Sequence, residues 1–376
     1  MTAVLDAPAP APATEMPPAL RVVPSTPTPG SGLTRAQVEE IGRRLDALRE
    51  QVLASRGQAD ADYIRGVIRR QRQLEAGGRA LLFAGVLPPA WLAGTAMLSA
   101  AKILENMEIG HNVLHGQWDW MRDPEIHSST WEWDTMSPSE AWKHSHNYMH
   151  HTYTNVVGKD RDVGYGILRL SEEQAWHPYY LLNPVLNVAL SLLFQYGVAL
   201  HDLEVEKVLS REKGLGTVWR QLKGIGRKVR KQVVKDYVVF PALAGPFFAP
   251  VLLGNLTANL VRNVWSHAII FCGHFPDGAA QFEEEQLEGE SRGQWYVRQM
   301  MGSANLDGGP LFHLMSGNLS FQVEHHLFPD LPSNRYAQIA PQVRALCEEF
   351  GVAYTSGPLW QQYLQVLHKI NRLALP

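Results

Sequence analysis

Apolar residues in this chain gather into three blocks, residues 80–101, 178–200 and 238–272. Each is long enough to matter to a bilayer, whose hydrocarbon is crossed by about twenty mostly apolar helical residues. Pro88-Pro89 in the first block predicts the turn of a hairpin whose incoming helix starts around Ile68 and carries Arg69, Arg70, Arg72 and Arg79. The third block has room for two crossings, with a break expected near Gly254-Asn255. Elsewhere the pattern is amphipathic. Val38, Ile41, Leu45, Leu48 and Val52 recur at three- and four-residue spacing after Thr34, which predicts a capped helix packed by one stripe. Buried core helices of a soluble bundle are the competing reading, because Pro or Gly interrupts every block.

Charge decides between the topologies. Residues 207–235 contain ten Lys or Arg and one acid, Glu212, although the whole chain carries a net charge of −3. Short basic loops stay on the cytoplasmic side. If the polar clusters described below share one site, each stretch between them crosses an even number of times. Block 178–200 is then in-plane or re-entrant, and the pair of segments after Val238 forms the crossing hairpin. The expected fold is all-α: an integral membrane bundle of about four transmembrane helices with a cytoplasmic helical cap. The basic run itself reads as a solvated helix face, as an attractor of anionic lipid, or as a seat for an acidic redox partner.

Composition adds boundaries. Residues 1–32 hold eight of the 24 prolines and predict a disordered tail. An amphipathic helical region over 33–66, a main domain over 67–350 and a helical tail over 351–376 follow. Cys272 and Cys347 are the only cysteines, too few for a disulfide framework or a cysteine-bound structural zinc. Nothing in the charge pattern calls for a nucleic-acid partner.

Histidine carries the chemistry. Fifteen are present, and they cluster. "GHNVLHG" puts His111 and His115 four apart, on one helix face. "HNYMHHTYTN" places His146 four before His150, with His151 adjacent. "QVEHHLFP" places Gln322 three before His325 and His326, and "RNVWSH" sets Asn263 four before His267 on the last apolar block. Ionisable groups in such a block are costly and are functional candidates by default. Catalytic zinc uses three protein ligands, so this many imidazoles exceed one ion and suit two. Imidazole accepts several transition metals, so ligand type alone does not choose among them. Only one Glu-x-x-His spacing occurs, Glu108 to His111, which disfavours a carboxylate-bridged bundle site. His144 is a stand-in for His146, and His274 and His313 are candidate outer groups, or stand-ins for a histidine that the third cluster lacks at Gln322. His127, His177, His201 and His368 read as structural or exposed.

The three clusters resemble, in order and spacing, the histidine boxes of the membrane fatty acid desaturases: H-x-x-x-H, H-x-x-x-H-H, then Q-x-x-H-H. The resemblance covers about residues 65–350. The leading Gln322 is similar to that of the front-end subgroup and of related bacterial acyl-lipid or acyl-CoA desaturases. Such a resemblance implies two irons that use O2 and delivered electrons to take two hydrogens from adjacent methylenes, giving a cis alkene and water. Implied iron ligands are His111, His115, His146, His150, His151, His267, His325 and His326, with Gln322 through its amide oxygen and Asn263 through water. No HPGG haem motif occurs, so electrons are expected from a separate ferredoxin- or rubredoxin-type carrier and an NAD(P)H-dependent flavin reductase. Expected substrate contacts are Trp118, Asp119, Trp120, Trp131, Asn155, Lys159 and Arg161. Lys159 and Arg161 would meet CoA phosphates, while the tryptophans, Trp133 included, equally suit a bilayer interface. The substrate is an acyl-CoA or acyl-lipid, and the site is expected on the cytoplasmic face of the inner membrane. A related di-iron hydroxylase or ketolase is the nearest rival reading, and a non-catalytic metal transporter a more distant one.

Overall fold

The computed structural model describes residues 32–204, 207–208 and 210–376, so the expected tail over 1–32 lies almost wholly outside the described residues. The chain is mostly helical. Helix α1 (Arg35–Ala54) starts at a capping box, in which the Gln37 amide N–H donates to Thr34 Oγ1 and Thr34 N–H donates to Gln37 Oε1. Its predicted stripe is buried to the last residue, against α8 (Arg292–Met301) and α10 (Tyr336–Phe350).

Helices α2 (Gln58–Phe83) and α3 (Pro88–Leu104) form the expected hairpin, with Pro88 and Pro89 in the first turn of α3, where their missing N–H groups cost nothing. Backbone approaches backbone here: a Cβ on Gly78 would lie 2.8 Å from Leu98 N. α2 begins ten residues before the expected start at Ile68, and it runs unbroken through residue 66. Asp60 explains the early start, since its carboxylate accepts the Gly57 N–H and fixes the first turn.

α4 (Asn183–Leu192) and α5 (Phe194–His201) meet at a bend of 102°. α6 (Leu215–Val234) carries the basic run and continues through a π-helical turn, Lys235–Val239, into the short helix Phe240–Leu243. α7 (Phe248–His274) then returns. The turn between them falls at Gly245, φ +57°, and Pro246, not at the expected Gly254-Asn255. Gly254 instead lies inside α7 where Leu82 crosses it: a Cβ there would stand 2.5 Å from Leu82 Cδ2. Asn255 accepts from Arg79 at 3.3 Å. Buried Asp236 accepts from Arg79 at 3.0 Å and from Lys102 at 2.8 Å, joining α2, α3 and the α6–α7 connection.

α9 (Gln322–Leu327) carries the third histidine cluster. A two-stranded parallel sheet pairs β1 (Ala304–Asp307) with β2 (Thr355–Pro358), and α11 (Leu359–Leu373) packs on α7, so the C-terminal segment closes onto the main body. Among the described residues no single helix is long and apolar enough to cross a membrane; the bent pair Pro178–Leu192 and Phe194–His201, which contains α4 and α5, passes that test together.

Asp60 also ties α2 to the segment after α9. Its oxygens accept from Arg335 Nε at 2.6 Å and NH2 at 2.7 Å, and from Asn334 at 2.9 Å. Burial opposes its charge, but these donors and the Gly57 amide hold its pKa below the ordinary value of 3.8. The folded pKa is depressed, so the stabilisation is complete above the unfolded value and fades as pH falls towards the folded one. Asp60→Asn is expected to cost about 2 kcal/mol in chemical unfolding at neutral pH, discounted because Arg335 is partly exposed. The gap from the unsubstituted protein should close as the pH falls below about 4.

Candidate metal centre

His111 closes one π-helical stretch, Glu105–His111, and His146 and His150 lie on another, Lys143–His150, where α-helical faces were expected; His115 and His151 follow them. Such wide turns are rare and favour functional sites. They turn their imidazoles onto α9, which meets them from the other side. Four rings, His111, His115, His146 and His325, form one set, with ligand atoms all within 4.8 Å of each other. His150, His274 and His326 form a second, equally tight. His151 stands between the sets: its ring stacks on His326 at 4.4 Å and 18°, and lies 4.7 Å from His115 and 4.8 Å from His325.

Each set is oriented from behind. His150 Nδ1 is 2.9 Å from Asp160, His325 Nδ1 is 3.2 Å from the Tyr336 hydroxyl, and His326 Nδ1 is 3.1 Å from Thr154 Oγ1 and 3.2 Å from Gln299 Oε1. His111 Nδ1 faces Asn112 Oδ1 at 3.1 Å, and His146 Nδ1 faces Asp162 at 3.4 Å. A proton kept on each Nδ1 by these acceptors leaves Nε2 with a lone pair for a metal. Burial, reinforced by neighbouring imidazoles, pushes the pKa of His111 down to about 3 and lowers those of His115, His151, His325 and His326 well below the usual range. Burial also opposes charge on His150, but Asp160 and Asp162 outweigh it and raise its pKa to about 8. Burial likewise disfavours the Asp162 carboxylate, yet His150, His146 and His201 hold it well below the ordinary range.

The residues fit a metal pair. His115 Nε2, His150 Nε2, His325 Nε2 and both nitrogens of His151 are buried without a hydrogen-bond partner. Leaving a buried polar atom unpaired costs about 1–3 kcal/mol, so a converging group of them is built for ions that satisfy all at once. Gln322 projects into the second set, its amide nitrogen 2.8 Å from His274 Nε2 and 3.2 Å from His326 Nε2. Rotation of that amide would turn its oxygen to the same place.

A cavity of about 60 Å³, walled mainly by apolar groups, opens beside both sets. His111, His146, His274 and Gln322 line one part of it, Met107, Phe194 and Ile270 another, and Arg262 and Asn263 a third.

Of the histidines in the implied ligand set, His151 stands between the two sets, and His267 joins neither. Its ring stacks on Phe271 at 3.9 Å and meets Phe194 edge-on at 5.6 Å. His274, read from the sequence as an outer group or as a stand-in for the histidine that Gln322 replaces in the third cluster, lies with His150 and His326 in the second set. His267 and His274 lie seven residues apart on α7, nearly on one face, and the site is level with the helix end, about 10 Å further along. Asn263 lines the cavity, donating to Leu192 O at 2.7 Å and accepting from Arg262 at 3.0 Å.

The seven expected substrate contacts line no part of that cavity. Trp118 is fully buried among Ile64, Val67 and Ile109. Asp119 accepts from Ser128 N and Oγ, Trp120 lies under the Arg56 guanidinium, and Trp131 is half-buried. Lys159 is half-buried and paired with Glu284 at 2.7 Å, and Arg161 donates to His201 O at 3.0 Å. Asn155 turns inward at φ +56° and donates to the carbonyls of His274, Ala280 and Gly302. Asp160, Asp162, Tyr336 and Gln299 were not foreseen as ring anchors.

Two imidazole sets side by side in a helical frame, with a mainly apolar cavity beside them, fit the class of oxygen-using di-iron oxidoreductases. The family follows from comparison: the fatty acid desaturase family model matches residues 87–358, and the chain belongs to that family. It is 49% identical over 348 residues to the NADPH-dependent stearoyl-CoA 9-desaturase of Mycobacterium tuberculosis, covering 92% of this chain and 82% of that one. It is 28% identical over 290 residues to the sn-1 linoleoyl-lipid 6-desaturase of Synechocystis sp., covering 75% and 79%. An acyl-lipid (7-3)-desaturase of Rebecca salina is 25% identical over 238 residues, covering 62% and 53%. The protein is therefore a fatty acyl desaturase.

Proposed function

We propose that this desaturase acts on a long-chain acyl-CoA at the cytoplasmic face of the inner membrane and places a cis double bond near the middle of the chain. The observation that carries this reading is the 49% identity to a stearoyl-CoA 9-desaturase over nearly the whole chain. Eight imidazoles, His111, His115, His146, His150, His151, His274, His325 and His326, would hold two irons, with Gln322 and Asn263 as neighbours. The irons supply the oxidising power that an unactivated methylene pair requires, since no side chain offers a handle on such carbons. The protein's part is to hold the rings other than His150 neutral, keep water out, and let the apolar cavity present one carbon pair beside the two sets. Electrons come from a separate iron–sulfur carrier served by an NADPH-dependent flavin reductase.

Membrane placement is supported by the large apolar side chains left exposed on the α2–α3 turn and along the turn into α7. Leu87, Leu92, Leu243, Phe247, Phe248 and Leu253 are each at least half exposed. Contiguous apolar surface of this kind marks lipid or partner contact. The basic run before the α7 hairpin supports a cytoplasmic position for the histidine end.

Expression in a host lacking its own membrane desaturase, followed by mass spectrometry with double-bond localisation, tests the proposal. An 18-carbon product unsaturated at carbon 9 is expected from stearoyl-CoA. Hydroxylated or keto products, or unsaturation only in intact lipids, would refute it.

A further inference from the structure

The outer face of α6 is unlike the rest of the surface. The helix contains no acid, and Arg220, Lys223, Arg227, Arg230 and Lys231 are all exposed. Among the described residues none of the five has an ion-pair partner. Between them stand Leu215, 75% exposed, Trp219, 60%, and Leu222, 39%, with the Lys223 ammonium over the Trp219 ring at 5.2 Å. Aromatic and cationic side chains interleaved on one rigid face are the composition of a protein-binding patch.

The inner face of the same helix grips the wall of the metal cavity. Lys228 Nζ donates to the Trp133 carbonyl at 2.8 Å, Gln232 donates to the Asp134 carbonyl at 3.3 Å, and Ile225 packs against Met136, Ala199 and Leu203. Trp133 is buried, and its ring lies 4.9 Å from that of Trp142. Trp142 in turn stacks on His146 at 4.5 Å and 21°. Two ring-to-ring contacts therefore connect the loop under α6 to an imidazole of the first set.

We propose that the outer face of α6 docks an acidic one-electron carrier protein, and that Trp133 and Trp142 bridge the docked carrier to His146. This rests on the desaturase reading above. That reaction needs outside reductant: two electrons and two protons join the two hydrogens leaving the substrate to convert one O2 into two waters. Each docking event delivers one electron, so two successive carriers, each oxidised by one electron, serve one double bond. Cations alone would also suit an anionic lipid surface. The aromatic bridge beneath the face favours a redox protein, because a lipid has no use for it.

The test measures binding of an acidic plant-type [2Fe–2S] ferredoxin to the iron-loaded enzyme in phosphatidylcholine nanodiscs at low ionic strength. A charge-reversed triple variant, R220E/K223E/R227E, and a neutral one, R220Q/K223Q/R227Q, are compared with the unsubstituted protein. Reversal should weaken binding at least roughly tenfold, neutralisation less, and added salt should erase the difference. Desaturation driven by dithionite and methyl viologen should be unchanged in both variants, which also certifies their folding. Equal ferredoxin affinity in all three proteins would overturn the proposal. So would a loss confined to binding of phosphatidylglycerol vesicles, which would make lipid the occupant. Trp133→Leu should slow ferredoxin-driven reduction in stopped flow with Kd unchanged; an unchanged rate removes the bridge. Absence of dithionite-driven desaturation in the unsubstituted enzyme would count against the desaturase reading, while the binding comparison would still judge the docking face.

Discussion

Replacing His274 by alanine should abolish desaturation and empty the second imidazole set, while His267→Phe should leave both iron content and activity near those of the parent. The two histidines sit on one helix, seven residues apart; the family resemblance names His267 as a ligand, and His274 as an outer group or a stand-in. In the structure His274 joins His150 and His326, with its ring centroid 4.7 Å from the first and 4.8 Å from the second. His267 touches Phe194 and Phe271, and phenylalanine preserves that packing. Removing a metal ligand costs more than removing a group behind one, which is itself worth about 10–100-fold in affinity or activity. Iron per purified protein should fall from about two towards one in His274→Ala, with product below detection. The assignment fails if His274→Ala keeps both irons, or if His267→Phe loses one.

Which parts of this molecule could be read from its sequence depends on how far apart the interacting residues lie. The α1 stripe and the Thr34 cap act within one or two turns, and both stand where the periodicity puts them. The histidine clusters are equally local: four-residue spacings align rings whatever the surroundings. Their π-helical backbone is not local, because the widened turns answer to α9 packing across from them. Gly254 reads as a break when only neighbours in sequence are considered. In the fold it is a groove for Leu82, and the chain reverses at Gly245 and Pro246 instead. In sequence Asp160 and Asp162 are only part of the charged stretch after the second cluster, beside Lys159 and Arg161. They turn inward because Asn155 and Gly158 reverse the chain with φ of +56° and +85°, which brings the carboxylates back to His150 and His146. The interior polar set of Arg79, Lys102 and Asp236 belongs to three separate segments and has no sequence signature beyond the cost of placing charges in apolar blocks.

Asn155→Asp should act through His274 and not through substrate. The side chain keeps its size and tolerates the left-handed backbone, but a donor becomes an acceptor. In the native protein the two N–H bonds of one amide nitrogen are shared among three carbonyls, those of His274 at 3.0 Å, Ala280 at 3.0 Å and Gly302 at 2.9 Å. These close the end of α7, the loop after it and the end of α8 around the second imidazole set. An aspartate would leave all three carbonyls unpaired and set negative charge against them, at a cost of about 3 kcal/mol or more. Loss of stability should come with loss of the iron nearest His274, and Asn155→Ala should do the same to a lesser degree, since it unpairs the carbonyls without adding charge. A headgroup contact at this position predicts the opposite pattern: KM for acyl-CoA rises while iron content and thermal stability stay at parental values. Metal analysis and thermal unfolding of the two variants, set beside their KM and kcat, separate a residue that holds a ligand in place from one that touches substrate.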